Sequence, residues 1–316
     1  MNRLLRINSI RIINSLRAKA TSSPKKSDFE HCISYVKDTD FNFYLSTLIM
    51  PKRIVRSAFA VRAFSIELLS IGRSRTNDPS SSTISQMKLK FWQDQLKKIY
   101  DAQTMDPEGK LRLKLFEPIS NELAVVVQNH KLAKSWLNRL IDGRRQFFSS
   151  PQFRTLDELE KCADASMATV YYILLQCMNV KSLDCDHAAS HLGKAEMLTG
   201  IARNILKQSS QVVFYLPIEL LTKHGIAQQD LINFSARVLK PKQNNIKDLA
   251  FEICSRANQH LKSARSLNDK IPKECKTIFS SAMHLEVILK NMEKYDFDLM
   301  DKRLVNDFRL GIIYKT

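Results

Sequence analysis

The sequence predicts an all-α protein folded as a single helical bundle. Three observations carry that prediction. Glycine is scarce, with 7 in 316 residues, which argues against a turn-rich β fold. Leu, Ile, Lys and Gln are abundant, and this balance favours helices. Apolar residues also recur at the three-and-four spacing of a helix along almost the whole chain. At roughly 100–200 residues per domain the length allows one large domain or two small ones. No fixed-period repeat and no long linker forces a split, so residues 28–316 are expected to form one domain.

Residues 1–27 stand apart. They hold Arg3, Arg6, Arg11, Arg17, Lys19, Lys25 and Lys26, and no acid precedes Asp28. On a helix Leu5, Ile12 and Leu16 share one face, with Ile13 beside them, while Arg3, Arg6 and Arg17 lie opposite. An Arg-rich, acid-free amphipathic stretch punctuated by Ser and Asn is the pattern of a mitochondrial transit peptide, and the expected cleavage lies between Ala18 and Ser27. A secretory signal would need a longer uninterrupted apolar run.

From Asp28 each element can be justified in turn. Asp28 caps a helix that carries apolar residues at helical spacing through Val36. Residues 40–50 repeat the pattern and stop before Pro51, which opens a helix through Phe59, Phe64 and Leu68. Residues 72–83, rich in Ser, Asn, Pro and charge, read as a loop. A helix follows with Leu89, Trp92, Leu96 and Tyr100, closed by a turn at Pro107. Further helices are expected over 118–129, 132–148, 155–180, 186–208, 217–224, 228–238, 245–267 and 272–295, with a tail near 296–310. The run 212–217 (VVFYLP) is β-like but too isolated to imply a sheet.

Charge and cysteine usage bound the function. The net charge is +17, from 49 Lys+Arg against 32 Asp+Glu. Setting aside the seven cations of residues 1–27 leaves +10. Such a surface suits anionic lipid headgroups or acidic partners. Nucleic acid is not expected as a partner, because no zinc finger, RNP motif or KH loop accompanies the charge. No apolar run reaches the ~18–20 residues of a membrane span; residues 167–180 come nearest and read as a buried helix. The six cysteines form no CxxC pair. Reduced, buried thiols are expected, as in the matrix or cytosol.

Several blocks then resemble a known family. Residues 191–226 read HLGKAEMLTGIARNILKQSSQVVFYLPIELLTKHGI. This is similar to a block of the squalene and phytoene synthases, with Gly193, Ala195, Arg203, Tyr215, Leu216, Pro217, His224 and Gly225 in matching places. AFAVRAFSIE (residues 58–67) looks like that family's first-motif helix, and KLKFWQDQL (residues 88–96) like the Trp-bearing helix after it. DHAASHLGKA (residues 186–195) and YDFD (residues 295–298) add a closer likeness to a mitochondrial branch of the superfamily that assists assembly of respiratory complex I. The resemblance implies a bundle of the isoprenoid-synthase type, a peripheral position on the matrix side of the inner membrane, an early role in assembly, and complex I subunits or assembly intermediates as partners.

The family's chemistry sharpens this expectation. Its reaction ionises an allylic diphosphate, whose departure needs Mg²⁺ held by hard oxygen ligands. Two Asp-x-x-x-Asp pairs supply them, since i, i+4 spacing puts both carboxylates on one helix face. Here the first pair falls on Leu69 and Arg73 and the second on Asn204 and Gln208. The basic run that would grip diphosphate becomes Gln211 and Val213. No Asp lies within residues 61–77 or 187–227, so a register slip does not restore the motifs. The expectation is a pseudoenzyme with no catalytic residue and no cofactor. The alternatives are a prenyl-diphosphate transferase with an atypical site and a lipid-binding protein that uses the emptied cavity.

Other groups are weighed the same way. Arg62, Glu67, Arg203 and Tyr215 are candidate contacts for the pocket or a partner, with Arg62 and Arg203 solvated or paired within helical reach to Glu67 and Glu196 as the plainer reading. His187 and His191, beside Asp186 and Cys185, have a spacing that suits zinc, against packing within the bundle. Phe91, Trp92, Trp136, Tyr171 and Tyr172 read as core. Arg144 with Arg145, and Lys97 with Lys98, read as solvated faces.

Overall fold

The protein is described here from a computed structural model covering residues 27–71, 79–106, 114–149, 152–205, 215–235 and 243–304. The leader of residues 1–26 and the positions of Arg73, Gln208, Gln211 and Val213 lie outside these. The described residues are helices joined by short turns, with no strand among them.

Helix α1 (Asp28–Thr39) starts at a capping box, with Ser27 and Glu30 bonded reciprocally. Asp40 caps α2 (Phe41–Leu48) by accepting from Phe43 N at 3.0 Å. Helix α3 (Lys52–Ser70) follows Pro51, and it is buried continuously from Ser57 to Ile66. A helix buried on all sides lies at the centre of its bundle. Helix α4 (Pro79–Met105) begins at Pro79, earlier than the loop expected through residue 83. Proline is tolerated in a first turn because its missing N–H would lack a partner there anyway. Helices α5 (Pro118–His130) and α6 (Lys134–Ser149) come next.

The single helix expected over 155–180 is three pieces: α7 (Leu156–Ala163), a π-helical turn (Asp164–Ala168) and α8 (Thr169–Cys177). Two glycines seat that turn. A Cβ on Gly193 would lie 2.6 Å from Ala168 Cα, and one on Gly143 would lie 3.2 Å from Ala165 Cβ. Both neighbouring helices approach the turn where they carry no side chain.

Helix α9 (Leu183–Asn204) packs along α12 (Gln243–Ser266), with short α10 (Ile218–Lys223) and α11 (Gln228–Ser235) between them in sequence. The helix expected from Pro272 opens as a 3₁₀ segment (Lys273–Phe279) before α13 (Ser281–Lys294). The core is one apolar cluster running through all these helices from Cys32 to Leu304. All six cysteines are buried and unpaired. Burial pushes the Cys162 thiol up to about 11 and that of Cys254 up to about 12. Phe91 departs from the core reading: it is 44% exposed, with its ring edge on Trp92.

Candidate functional site

Helices α3 and α9 carry the two segments that matter most, and they face each other across the interior. Their side chains meet at two levels.

At the first level Arg62, 3% exposed, forms a buried ionic knot. Its Nε donates to Asp40 Oδ2 at 3.0 Å, and its Nη2 donates to the same oxygen and to Glu196 Oε1 at 2.6 Å. The guanidinium lies 4.1 Å from the centre of the Phe43 ring. Tyr171 OH donates to Glu196 Oε2 at 2.9 Å and meets Ser281 Oγ at 2.5 Å. Side chains of α3, α8, α9 and α13 thus converge on the cap of α2. Burial opposes the charge on Asp40, but the Arg62 guanidinium outweighs it and holds the carboxyl below its ordinary value. Burial likewise opposes the Arg62 cation, and Glu196 and Asp40 reverse that, raising its pKa. Burial, then Glu196, pushes the Tyr171 phenol well above its usual range.

The second level lies two helical turns further along α3. There Ser65, Leu68, Leu69, Leu140, Met197 and Tyr215 are among the residues lining a slot of about 40 Å³. Small-molecule pockets measure roughly 300–1,000 Å³, so this slot has room for little more than water. Arg144 closes one side and is 4% exposed. It donates to Leu69 O at 3.1 Å, to Ile71 O, and to Tyr215 OH at 3.2 Å. The carbonyls it reaches are those a helix leaves unpaired at its C-terminus, where the dipole also favours a cation.

The sequence candidates therefore scatter. Leu69 and Tyr215 share the slot. Asn204 ends α9, with its amide donating to its own Gly200 O at 2.8 Å. Glu67 accepts from Tyr35 OH at 2.7 Å on the α1 side. The expected Arg62–Glu67 pair does not form, because a five-residue step on a helix turns the two side chains to different faces. Arg62 is sealed inside the bundle and is not available as a pocket or partner contact. Glu196 is taken by Arg62, and Arg203 lies near His284, whose imidazole is held below its ordinary value by burial and neighbouring cations.

Three residues were missed or misread. Asp40 was read only as the start of a helix and Tyr171 only as core, yet both belong to the knot. Arg144 was expected to be solvated. Its place could have been read from spacing: Leu137, Leu140, Ile141 and Arg144 fall on one helix stripe, and Arg145 beside it turns out to meet Asp142 at 2.7 Å.

Zinc does not suit His187 and His191. His191 Nδ1 lies 2.9 Å from His260 Nδ1 and His187 is exposed. Among the described residues no trio of His, Cys, Asp or Glu is placed to hold a metal. At the positions the resemblance assigns to magnesium ligands, Leu69 offers hydrocarbon and Asn204 an amide bonded within its own helix, donors that do not suit that metal.

An isoprenoid-synthase-type helical bundle with its two motif helices facing each other defines the class. The chain belongs to the squalene/phytoene synthase family, whose pattern matches residues 36–309. Two relatives narrow the likeness. It is 33% identical over 276 residues to the NADH dehydrogenase (ubiquinone) complex I, assembly factor 6 homolog of Drosophila melanogaster, covering 87% of this chain and 78% of that one. It is 30% identical over 286 residues to the assembly factor 6 of Homo sapiens, covering 90% and 80%. Among solved structures, a dehydrosqualene synthase in complex with ligand superposes with a TM-score of 0.64 at 22% identity, covering 91% of this chain and 96% of that one. The squalene synthase HpnC from Alicyclobacillus acidocaldarius gives 0.65 at 16%, covering 86% and 95%. At those identities the structures speak to the fold.

Proposed function

We propose that this protein assists the assembly of respiratory complex I at an early stage, by binding a complex I subunit or assembly intermediate and not by turnover. The observation that carries this is the likeness to the fly and human assembly factors over about four-fifths of their length. The absent carboxylates support the non-catalytic half. Leu69 and Arg73 stand at the first metal pair, Asn204 and Gln208 at the second, and Gln211 and Val213 at the diphosphate grip. Every electrostatic element of the family reaction is weakened together, and such preorganised charge is usually the largest catalytic contribution.

The basic amphipathic leader of residues 1–27 supports delivery to mitochondria. The excess of cations supports a peripheral place on the matrix side of the inner membrane. Among the described residues no helix is long and apolar enough to cross a membrane.

Deleting the gene and resolving respiratory complexes on native gels tests the role. Loss of mature complex I with early subassemblies accumulating, restored by the wild-type chain, is the expected result. Normal complex I would refute it. Titration calorimetry with farnesyl diphosphate and Mg²⁺ tests the chemistry: no metal-dependent binding is expected, and tight binding would return the chain to the transferases.

A further inference from the structure

A second concave feature lies away from the α3–α9 slot, between the middle of α9 and the ends of α2, α12, the 3₁₀ segment and α13. It is an open groove of about 490 Å³, within the range of ligand-binding clefts. Leu192, Ile271 and Phe279 line its depth, with Leu192 fully buried. Ile49 and Met283 stand at its edge, 57% and 66% exposed. Each has an apolar neighbour one turn along its own helix, Leu45 at 47% and Val287 at 59% exposed. Side chains four apart share a helix face, so two short apolar rows continue away from the groove.

Its charge is one-sided. Arg265 and Lys276 line the groove, and no acidic side chain does. Glu286 lies close by, and it is already held by Arg265 and Lys290. Another exposed apolar face, Ile84, Met87 and Phe91 on α4, is different. There Lys90 pairs with Asp94, and Arg145 pairs with Asp142. With ion-pair partners counted on both faces, the α4 charges balance, whereas Arg265, Lys276 and the neighbouring Lys290 outnumber Glu286 at the groove.

We propose that the groove docks an amphipathic helix of a partner protein, with apolar side chains at helical spacing seated between Ile49 and Met283 and acidic residues toward Arg265 and Lys276. A recessed apolar floor with a basic lip matches the helix-in-groove mode of recognition. A flat bilayer surface would not reach that floor. The proposal rests on the reading that this chain works by binding a partner, and it names the face and the chemistry.

The test uses the full chain and synthetic helices of about 18 residues, long enough for five turns. One has Leu at i, i+3, i+4, i+7 with Glu on its flanks. A second has the same Leu spacing with Lys flanks, and a third has the acidic composition with scrambled spacing. Fluorescence anisotropy is expected to show the acidic helix binding at least about tenfold more tightly than either control, and weakening as salt rises. Ile49→Asp with Met283→Asp should weaken it at least about tenfold, as should Lys276→Glu with an acidic probe, while Met87→Asp with Phe91→Asp leaves it unchanged. Ile49, Met283, Met87 and Phe91 are exposed and Lys276 is half-buried, and unchanged thermal melting would show that the variants fold. Equal binding of acidic and basic helices, or full binding by the Ile49→Asp/Met283→Asp chain, would overturn the proposal. So would no peptide binding, or stronger binding to vesicles of phosphatidylcholine with phosphatidylglycerol than to the acidic helix. Complex I rescue is read separately: failure of the wild-type chain there would sink the assembly role and leave the peptide result standing.

Discussion

Two regions of one interior, a few residues apart on the same pair of helices, are built on opposite principles. At Arg62 and Glu196 the bundle buries charge and satisfies most of it. At Leu69 and Met197, two turns along α3 and one residue along α9, it buries hydrocarbon around a slot of about 40 Å³. On the motif placement that the resemblance implies, the family's acidic, metal-binding surface would lie near Leu69 and Asn204. Near this end of the interior the chain instead holds two partly buried carboxylates, Asp40 and Glu196, and both are bound to one guanidinium. A carboxylate so held is a structural tie between helices, and it has little lone-pair capacity left for a metal. The difference teaches that charge inside this bundle serves the fold. Substitutions in the knot should therefore act on stability, and substitutions in the slot should act much less.

The largest expected effect comes from Arg62→Leu. Removing one partner of a buried ionic group strands the others, at about 3–5 kcal/mol. Here two carboxylates, Asp40 and Glu196, would be stranded together. Chemical denaturation should show the midpoint falling with an unchanged slope. A cost below about 1 kcal/mol would mean the knot is hydrated and the contrast with the slot is false.

Next is Gly193→Ala. The added methyl would overlap Ala168, within 2.6 Å of its Cα, so α9 or the π turn must move. Overpacking of this kind costs about 1–3 kcal/mol, and here the obstacle is backbone. Gly200→Ala on the same helix is the control, because its added Cβ meets nothing within 4 Å. That control should be neutral or slightly stabilising, since alanine is the better helix former by about 1 kcal/mol. Equal effects at the two glycines would dismiss the close approach.

Tyr171→Phe follows. It keeps the ring and removes one donor to the Glu196 carboxylate. Hydrogen bonds to charged groups contribute about 1.5–3 kcal/mol. Leu69→Met, a near-isosteric change in the slot, should cost less than about 1.5 kcal/mol. Reversal of that order would place the tighter constraint in the apolar slot.

Much of the fold was legible because helices are local. The helix start at Asp28 (its cap is Ser27, one residue before the one expected), the stop before Pro51 and the stripe through Trp92 and Leu96 all depend on residues within a turn or two of one another. The π turn was not legible, because apolar residues keep a helical spacing through 155–180 and the close approaches that seat the turn come from Gly193 on α9 and Gly143 on α6. The knot was legible only in part. Arg62 and Glu196 were both noticed, but helical reach assigned Arg62 to Glu67. Its true partners are 22 residues before it and 134 residues after it, a separation that no local rule spans. The absence of Asp from residues 61–77 and 187–227 needed no structure, since it is a matter of composition.

The smallest effect is the most diagnostic of the knot. Asp40 has a folded-state pKa below its ordinary value. A carboxyl depressed by folding stabilises the native state above its unfolded pKa, about 3.9, and that stability is lost as pH falls through the folded value. Glu160 behaves alike, held at about 2 because hydrogen bonds from His260 and Arg256 and their charges outweigh burial. The wild-type chain should therefore lose stability on acidification below about pH 4. In Arg62→Leu the Glu160 contribution persists and that of Asp40 changes sign. A buried carboxyl without its cation has a raised pKa, so protonation relieves the variant while it weakens the wild type. The stability gap between the two chains should narrow as pH falls from 7 toward the carboxylate range. A gap that stays constant with pH would show that Arg62 contributes through packing on Phe43 and not through its hold on Asp40.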